Sequence, residues 1–244
     1  MALERLDKLL ASTGRWSRSE VKRLVKEGRV LADGRVAAAA DEKHDPETVT
    51  LSVDGETARL RRHVYLMLHK PAGVLSATED GRGRTVLDLL PEEYRRRGLF
   101  PVGRLDKDTE GLLLLTDDGP LAHALLSPKK HVDKRYFVRV EGRLTAADRD
   151  AFAAGLVLPD GLRCLPAELE LVSNRNGSGD ESEARVTIRE GKFHQIKRMF
   201  LHRGHKVLYL RRETMGPLAL DGDLAPGRWR ELTEAEEASL PRSE

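Results

Sequence analysis

Cysteine is nearly missing: Cys164 is the only one in 244 residues. A lone thiol excludes an internal disulfide and any zinc site built from several cysteines, and it suits a reducing, cytoplasmic setting. Cys164 itself reads as a buried small hydrophobe. Aromatic residues make up 5% of the chain, with four Tyr and two Trp. No apolar run approaches the roughly 20 residues that cross a bilayer, and the start, Met1-Ala2-Leu3-Glu4-Arg5, lacks the apolar core of a secretion signal. His194, His202 and His205 cluster without a neighbouring cysteine or HExxH spacing, which argues against zinc. Neither a GK[ST] phosphate loop nor a strand-bound GxGxxG occurs, which argues against nucleotide cofactors. No metal and no cofactor are therefore expected. Charged residues reach 34% while the net charge is only +2, so any binding preference lies in how charge is distributed.

Positive charge gathers near the start. Between residues 5 and 35 stand nine basic residues (Arg5, Lys8, Arg15, Arg18, Lys22, Arg23, Lys26, Arg29, Arg35) against four acids (Asp7, Glu20, Glu27, Asp33). Leu6, Leu9 and Leu10 form one apolar helical face, closed by Gly14. Ser17-Arg18-Ser19-Glu20 is a capping box opening a second helix, with Val21, Leu24 and Val25 inward. Gly28 stops that helix, and Arg29 to Val36 reads as a hairpin on Asp33-Gly34, a pair that tolerates the positive φ of such turns. Arg18, Lys22, Arg23 and Lys26 then face outward, where they suit phosphate backbones, whose contacts position a protein without reading sequence. Charge alone describes an ordinary solvated helix face equally well. Val49 to Val53 alternates as a strand turned by Asp54-Gly55. The domain boundary is expected near Arg61, separating a small module (1–60) from a second domain (62–240).

The second domain opens with an apolar strand from Val64 to His69, stopped by Lys70-Pro71-Ala72-Gly73, where Lys70 is expected to face a substrate phosphate. The centre of the chain is Gly103-Arg104-Leu105-Asp106-Lys107-Asp108-Thr109-Glu110-Gly111, followed by Leu112 to Leu115 and the turn Thr116-Asp117-Asp118-Gly119. Four leucines between turns read as a strand buried on both faces, which sets the charged loop before it at a sheet edge or cleft floor. Asp106 stands between Arg104 and Lys107, and opposite charge within reach keeps a carboxylate ionised. Taken alone, such a run more often belongs to a solvated turn.

Downstream, 121–126 reads as a helix, 127–131 as a basic connection, and Lys134 to Val140 as a strand with Tyr136, Val138 and Val140 on one face. Tyr136 is a candidate base-stacking platform, with a core tyrosine as the default. A helix capped by Thr145 runs to Ala154; strands around 164–171 and 183–189 are joined by a loop at 173–180. A helix opened by Gly191 to Phe200 ends at Gly204 and crowds His194, Lys197 and Arg198 on one side. A last strand, 206–210, runs into Arg211-Arg212, and a capped helix closes the chain at 233–240.

These motifs together resemble a family. Gly103-Arg104-Leu105-Asp106 with Thr109-x-Gly111-Leu112-Leu113, Lys70-Pro71-x-Gly73, Lys134-x-Tyr136, Gly191-Lys192-x-His194-Gln195-Ile196-Lys197-Arg198-Met199 and Leu210-x-Arg212 resemble the pseudouridine synthases, most closely the ribosomal small-subunit pseudouridine synthase A family. Residues 3–50 are similar to the small RNA-binding module first known from a ribosomal small-subunit protein, through Arg5 to Leu10, Ser17 to Glu20, Gly28-Arg29-Val30 and Asp33-Gly34. The resemblance implies an α+β fold: a small module of two helices and a hairpin, then a catalytic domain on a central, mostly antiparallel sheet. It implies that Asp106 is the catalytic aspartate, that Tyr136 stacks on the flipped base and that Lys197 pairs with Asp106. Many members carry arginine at that last position, and lysine cannot make arginine's planar two-pronged pair. Lys70, Arg104, Lys192, Arg198 and Arg212 join the four module cations as expected RNA contacts.

The implied activity is pseudouridine formation in ribosomal RNA, 16S rRNA first, with a 23S-acting relative or a non-catalytic assembly factor as alternatives. The implied partner is ribosomal RNA or a small-subunit assembly intermediate, met in the cytoplasm by a monomer with no membrane contact. The chemistry suits the residue types. Uridine isomerisation breaks the bond from ribose to base nitrogen, turns the uracil and rejoins the sugar to a base carbon, with no net redox change. An ionised carboxylate beside the anomeric carbon serves as nucleophile or as base.

Overall fold

A computed structural model describes residues 3–127, 130–175 and 180–241. Contacts divide the chain into two units: Met1–Val64 with Leu90–Phe100, and Tyr65–Leu89 with Pro101–Glu244. From the sequence the second domain is expected to run unbroken from residue 62, whereas residues 90–100 fall in the first unit.

In the first unit, strand β1 (Glu4–Arg5) leads into helix α1 (Leu6–Ser12), and α2 (Arg18–Lys26) follows. The Ser17 capping box forms: the Glu20 amide donates to Ser17 Oγ at 3.2 Å, and the Ser17 amide donates to Glu20 Oε2 at 2.6 Å. Strands β2 (Val30–Ala32), β3 (Arg35–Val36), β4 (Lys43–His44), β5 (Leu51–Val53) and β6 (Glu56–Ala58) complete the unit. Four of them form a sheet in the order β3-β2-β5-β6, while β1 pairs β4. Asp33 and Gly34 turn the first hairpin at φ 49° and 77°; Asp54 and Gly55 turn a second at 53° and 82°, which makes β6 a strand the sequence reading does not name. Leu6, Leu10, Val21, Val30 and Leu51 are fully buried at its core.

Helix α3 (Glu92–Arg96) belongs here for a physical reason. Gly14, at φ 77°, lies so close to the chain that an added Cβ would sit 1.9 Å from the Glu93 carbonyl oxygen. Arg96 reaches Glu20 at 3.7 Å, and Arg97 Nη2 donates to the Arg61 carbonyl at 2.6 Å.

The second unit is built on strands β7 (Tyr65–Lys70), β8 (Phe100–Pro101, of which Pro101 falls in this unit), β9 (Glu110–Thr116), β10 (Lys134–Glu141), β11 (Glu168–Arg175), β12 (Glu181–Ile188), β13 (Val207–Met215), β14 (Leu218–Ala219) and β15 (Trp229–Glu231). Their sheet has the order β11-β12-β10-β13-β9-β7-β15, with β14 beside β13 and β8 beside β9. The one parallel pair with a defined register is β13 with β9; the others run antiparallel. Because β9 lies between two neighbours, Leu112 to Leu115 are each 0% exposed, as four leucines in a row require. Helices α4 (Gly119–Leu126), α5 (Ala146–Ala154), α6 (Gln195–His202) and α7 (Glu234–Ser239) complete the unit. Helix α4 starts at Gly119, ahead of the expected 121, because Asp118 caps it by accepting from the Leu121 amide at 2.9 Å and Pro120 fits the first turn.

Three further boundaries differ from expectation. Cys164 is buried as expected but precedes β11 and lies in no strand. Helix α6 starts at Gln195, so 191–194 is loop. Strand β13 continues through Arg211 and Arg212 to Met215. Of the connections expected at 127–131 and 173–180, residues 128–129 and 176–179 lie outside the described residues. No helix among the described residues is long and apolar enough to cross a membrane.

Candidate active site

The loop from Gly103 to Thr109 enters β9 and is fixed from below. Lys70, at the end of β7, is 0% exposed, and its ammonium donates to the carbonyls of Pro71 (3.0 Å), Lys107 (3.2 Å) and Thr109 (2.9 Å). Ser76 Oγ donates to the Leu105 carbonyl at 3.0 Å and accepts from the Leu105 amide at 3.1 Å. The Gly73 amide donates to the Lys107 carbonyl at 2.7 Å. The Lys-Pro-x-Gly turn is thus the bed of the loop, and Lys70 cannot meet an RNA phosphate there. Burial pushes its pKa down to about 8, against the opposing pull of Asp108, Glu110 and Asp106.

Asp106 leaves this loop with its side chain 26% exposed. Lys197, in the first turn of α6, places Nζ 3.1 Å from Asp106 Oδ2 and 2.5 Å from Asp108 Oδ1. His194 Nε2 stands 3.6 Å from Asp106 Oδ1. The expected pairing of Lys197 with Asp106 is present, but the ammonium bridges two carboxylates, and Asp108 is not singled out by the sequence reading. Burial works against charge on Lys197; hydrogen bonds and charge from Asp108 and Asp106 outweigh it and raise its pKa. The Lys197 hydrogen bond in turn lowers the pKa of Asp108.

Two adjoining hollows meet at Asp106. The first is lined by Tyr136, Ile188, Leu210, Thr109 and Lys197. Tyr136, in β10, is 7% exposed and paired in register with Val186 on one side and Arg212 on the other. The second is lined by Leu75, Ser76, Ala77, Lys107 and Phe193, and it shares Arg104, Asp106, Lys192 and His194 with the first.

The expected RNA-contacting cations divide. Arg104 is exposed at both hollows. Lys192 borders them but is engaged by Glu190 at 2.6 Å and by the Arg163 carbonyl at 2.5 Å. Arg198 pairs with Asp160 and turns back toward the Phe193 carbonyl at 3.4 Å. Arg212 is a second correction beside Lys70. It is 2% exposed and donates from Nε to the Leu112 carbonyl at 2.7 Å, because β13 continues past Leu210 and sets Arg212 on the same inward face. Arg18, Lys22, Arg23 and Lys26 are all exposed on α2 of the first unit.

A family model described as RNA pseudouridylate synthase matches residues 64–202, and an S4 domain model matches residues 4–43. The chain belongs to the RNA pseudouridylate synthase family. An uncharacterized RNA pseudouridine synthase of Bacillus subtilis is 50% identical over 95% of this chain and 96% of its own. A ribosomal small subunit pseudouridine synthase A of Vibrio cholerae is 41% identical, covering 97% of this chain and 99% of its own. A crystal structure of a pseudouridylate synthase superposes with a TM-score of 0.67 at 32% identity, covering 98% of this chain and all of that one. In this family the expected α+β organisation holds: an S4 domain is followed by a synthase domain on a large, mostly antiparallel sheet.

Proposed function

We propose that this chain converts one uridine of small-subunit ribosomal RNA, 16S rRNA, to pseudouridine, with Asp106 as its catalytic carboxylate. The observation that carries the reading is the loop itself. Asp106 is held on a bed of buried hydrogen bonds, faces the Lys197 ammonium at 3.1 Å and opens onto the hollow lined by Tyr136. Relatives named ribosomal small subunit pseudouridine synthase A, at 41% identity in Vibrio cholerae and 38% in Escherichia coli over nearly the whole chain, support small-subunit RNA as the substrate.

In this reading the target nucleotide is turned out of its stack into the Tyr136 hollow. Extrusion costs a few kcal/mol, and stacking on an aromatic ring returns roughly 1–3 kcal/mol. Asp106 sits beside the anomeric carbon. There it attacks the sugar or removes the 2′ proton while the bond to the base nitrogen breaks and its electrons leave with the uracil; the uracil rotates, the sugar rejoins a base carbon as the carboxylate departs or the 2′ proton returns, and that carbon loses its hydrogen as a proton while the freed nitrogen gains one. Lys197 holds the carboxylate in place. The exposed cations of α2 and Arg104 meet RNA phosphates, and the enzyme acts as a cytoplasmic monomer on RNA or on an assembly intermediate. The test is to map pseudouridines in ribosomal RNA from cells with and without the gene, and then to treat a 16S transcript with the purified protein. Loss of one 16S site in the cells, restored in the transcript, is the expected result. A missing site in 23S rRNA, or no missing site at all, overturns the substrate or the activity respectively.

A further inference from the structure

Phe193 is 76% exposed, and its ring stacks on that of His194 at a centroid distance of 3.8 Å and an interplanar angle of 17°. A single exposed apolar side chain needs no explanation by itself. This one is presented in an unusual way. His194 has a left-handed backbone, φ 49°, a conformation that costs a residue with a Cβ free energy and that gathers at functional sites. The loop carrying both rings is pinned by Gln195, which is 3% exposed: its Nε2 donates to Glu190 at 2.6 Å, and its Oε1 accepts from the Lys192 amide at 3.1 Å. The ring pair is thus held out on a constrained loop, so a planar ligand stacks on it with little further ordering.

The hollow it borders is the second of the two at Asp106. Tyr136 lines the first and not the second; Phe193 lines the second and not the first. Arg104 and Lys107 rim the Phe193 hollow, where Lys192 is held by Glu190 and where Asp80 and Asp106 are the acids of the wall. An aromatic face with cations around it matches a nucleotide, with the base on the ring and the phosphate among the cations.

We propose that the Phe193–His194 pair is a stacking platform for an unpaired RNA base flanking the uridine that enters the Tyr136 hollow. This subsite deepens the reading of the chain as an RNA-modifying enzyme and rests on it. Phe193 is exposed, so Phe193→Ala leaves the core intact, which a thermal melt verifies.

The experiment uses short single-stranded RNAs carrying 2-aminopurine at each position in turn around the mapped uridine, with full-length wild type, Phe193→Ala and Phe193→Trp. At one flanking position the emission changes on binding wild type and the Trp variant but not the Ala variant. Replacing that base with an abasic unit lowers wild-type kcat/KM by about 5- to 150-fold, the worth of one base on one ring. Phe193→Ala lowers it by a similar factor, and the two losses do not multiply. Wild-type emission and kcat/KM in the Ala variant overturn the proposal and leave the ring to a protein partner. Losses that multiply overturn it as well. A wild-type protein that forms no pseudouridine refutes the activity, not the platform, which the emission scan decides without turnover.

Discussion

Replacing Lys197 by Met removes one ammonium from between two carboxylates. The two arms of the bridge are unequal. Asp108 is 74% exposed and Lys197 23%, so water screens that arm, and its worth falls in the range of about 0–1 kcal/mol for exposed pairs. The arm to Asp106 joins groups that are 23% and 26% exposed at 3.1 Å. Its charge-assisted hydrogen bond is worth about 1.5–3 kcal/mol. If that bond holds Asp106 where the sugar needs it, its loss slows the chemical step by about 10- to 150-fold. Lys197→Arg retains the charge with altered geometry and should lose less.

The assay is single-turnover release of tritium from the base carbon that the sugar rejoins, since that carbon gives up its hydrogen. A wild-type rate in Lys197→Met refutes the argument and leaves the bridge as a surface ion pair. The same variant carries a pH signature. Asp108 has its pKa depressed in the folded chain, chiefly by the Lys197 hydrogen bond. Its contribution to stability is therefore present above the unfolded carboxylate pKa and is lost as pH falls through the folded one. Acid titration of unfolding should show that loss in wild type and less of it in Lys197→Met.

Asp106→Asn should abolish pseudouridine formation while RNA affinity stays within a few-fold, measured by turnover and by equilibrium binding; substantial residual turnover would sink the assignment. Lys70→Met leaves three loop carbonyls without their buried donor and should lower the denaturation midpoint, at about 1–3 kcal/mol for each group left unsatisfied. Because the Lys70 pKa falls from 10.5 to about 8 on folding, the unfolded chain binds the extra proton between those values. The Lys70 contribution to stability therefore rises with pH across that window, and wild type should gain on Lys70→Met there; a pH-independent difference would show that Lys70 is not charged and buried as described. Changing Arg18, Lys22, Arg23 and Lys26 together to Gln should make log affinity for RNA less steep against log salt, by roughly 0.7–0.9 for each phosphate no longer neutralised. An unchanged slope would show that α2 does not hold RNA. Substitution is preferable to deleting residues 1–60, which would strip Leu90–Phe100 of its own unit.

Local signals in the sequence led to local structure where one residue type has one use. The Ser17 box and the Asp33-Gly34 turn form as read, and the leucine run of β9 could only be a strand with neighbours on both sides. Cations are the opposite case, because the same side chain that meets a phosphate also satisfies carbonyls. Lys70 caps the Asp106 loop from beneath, and its neighbour in sequence, a proline-glycine turn, looks the same whether it faces RNA or a loop. For Arg212 a signal is present in the sequence. Leu210, Arg212 and the later Met215 belong to one strand, and once β13 is carried past Leu210 the period of two sends Arg212 inward with it. Asp108 is hidden by distance: its partner lies 89 residues away. The turn in which the Thr109 amide donates to the Asp106 carbonyl at 3.1 Å accompanies the presentation of both carboxylates to the same ammonium.

Gly111 ties these cases together. An added Cβ would lie 2.3 Å from the Arg212 carbonyl oxygen, and its φ of 106° excludes most side chains in any event. The glycine that ends the charged motif is thus the point where β9 and β13 touch in the parallel pair, Gly111 opposite Arg212. Asp106 and Arg212, which the sequence presents as a catalytic group and a separate RNA contact, are the half-buried and fully buried ends of one arrangement: Arg212 braces the strand whose preceding loop carries Asp106.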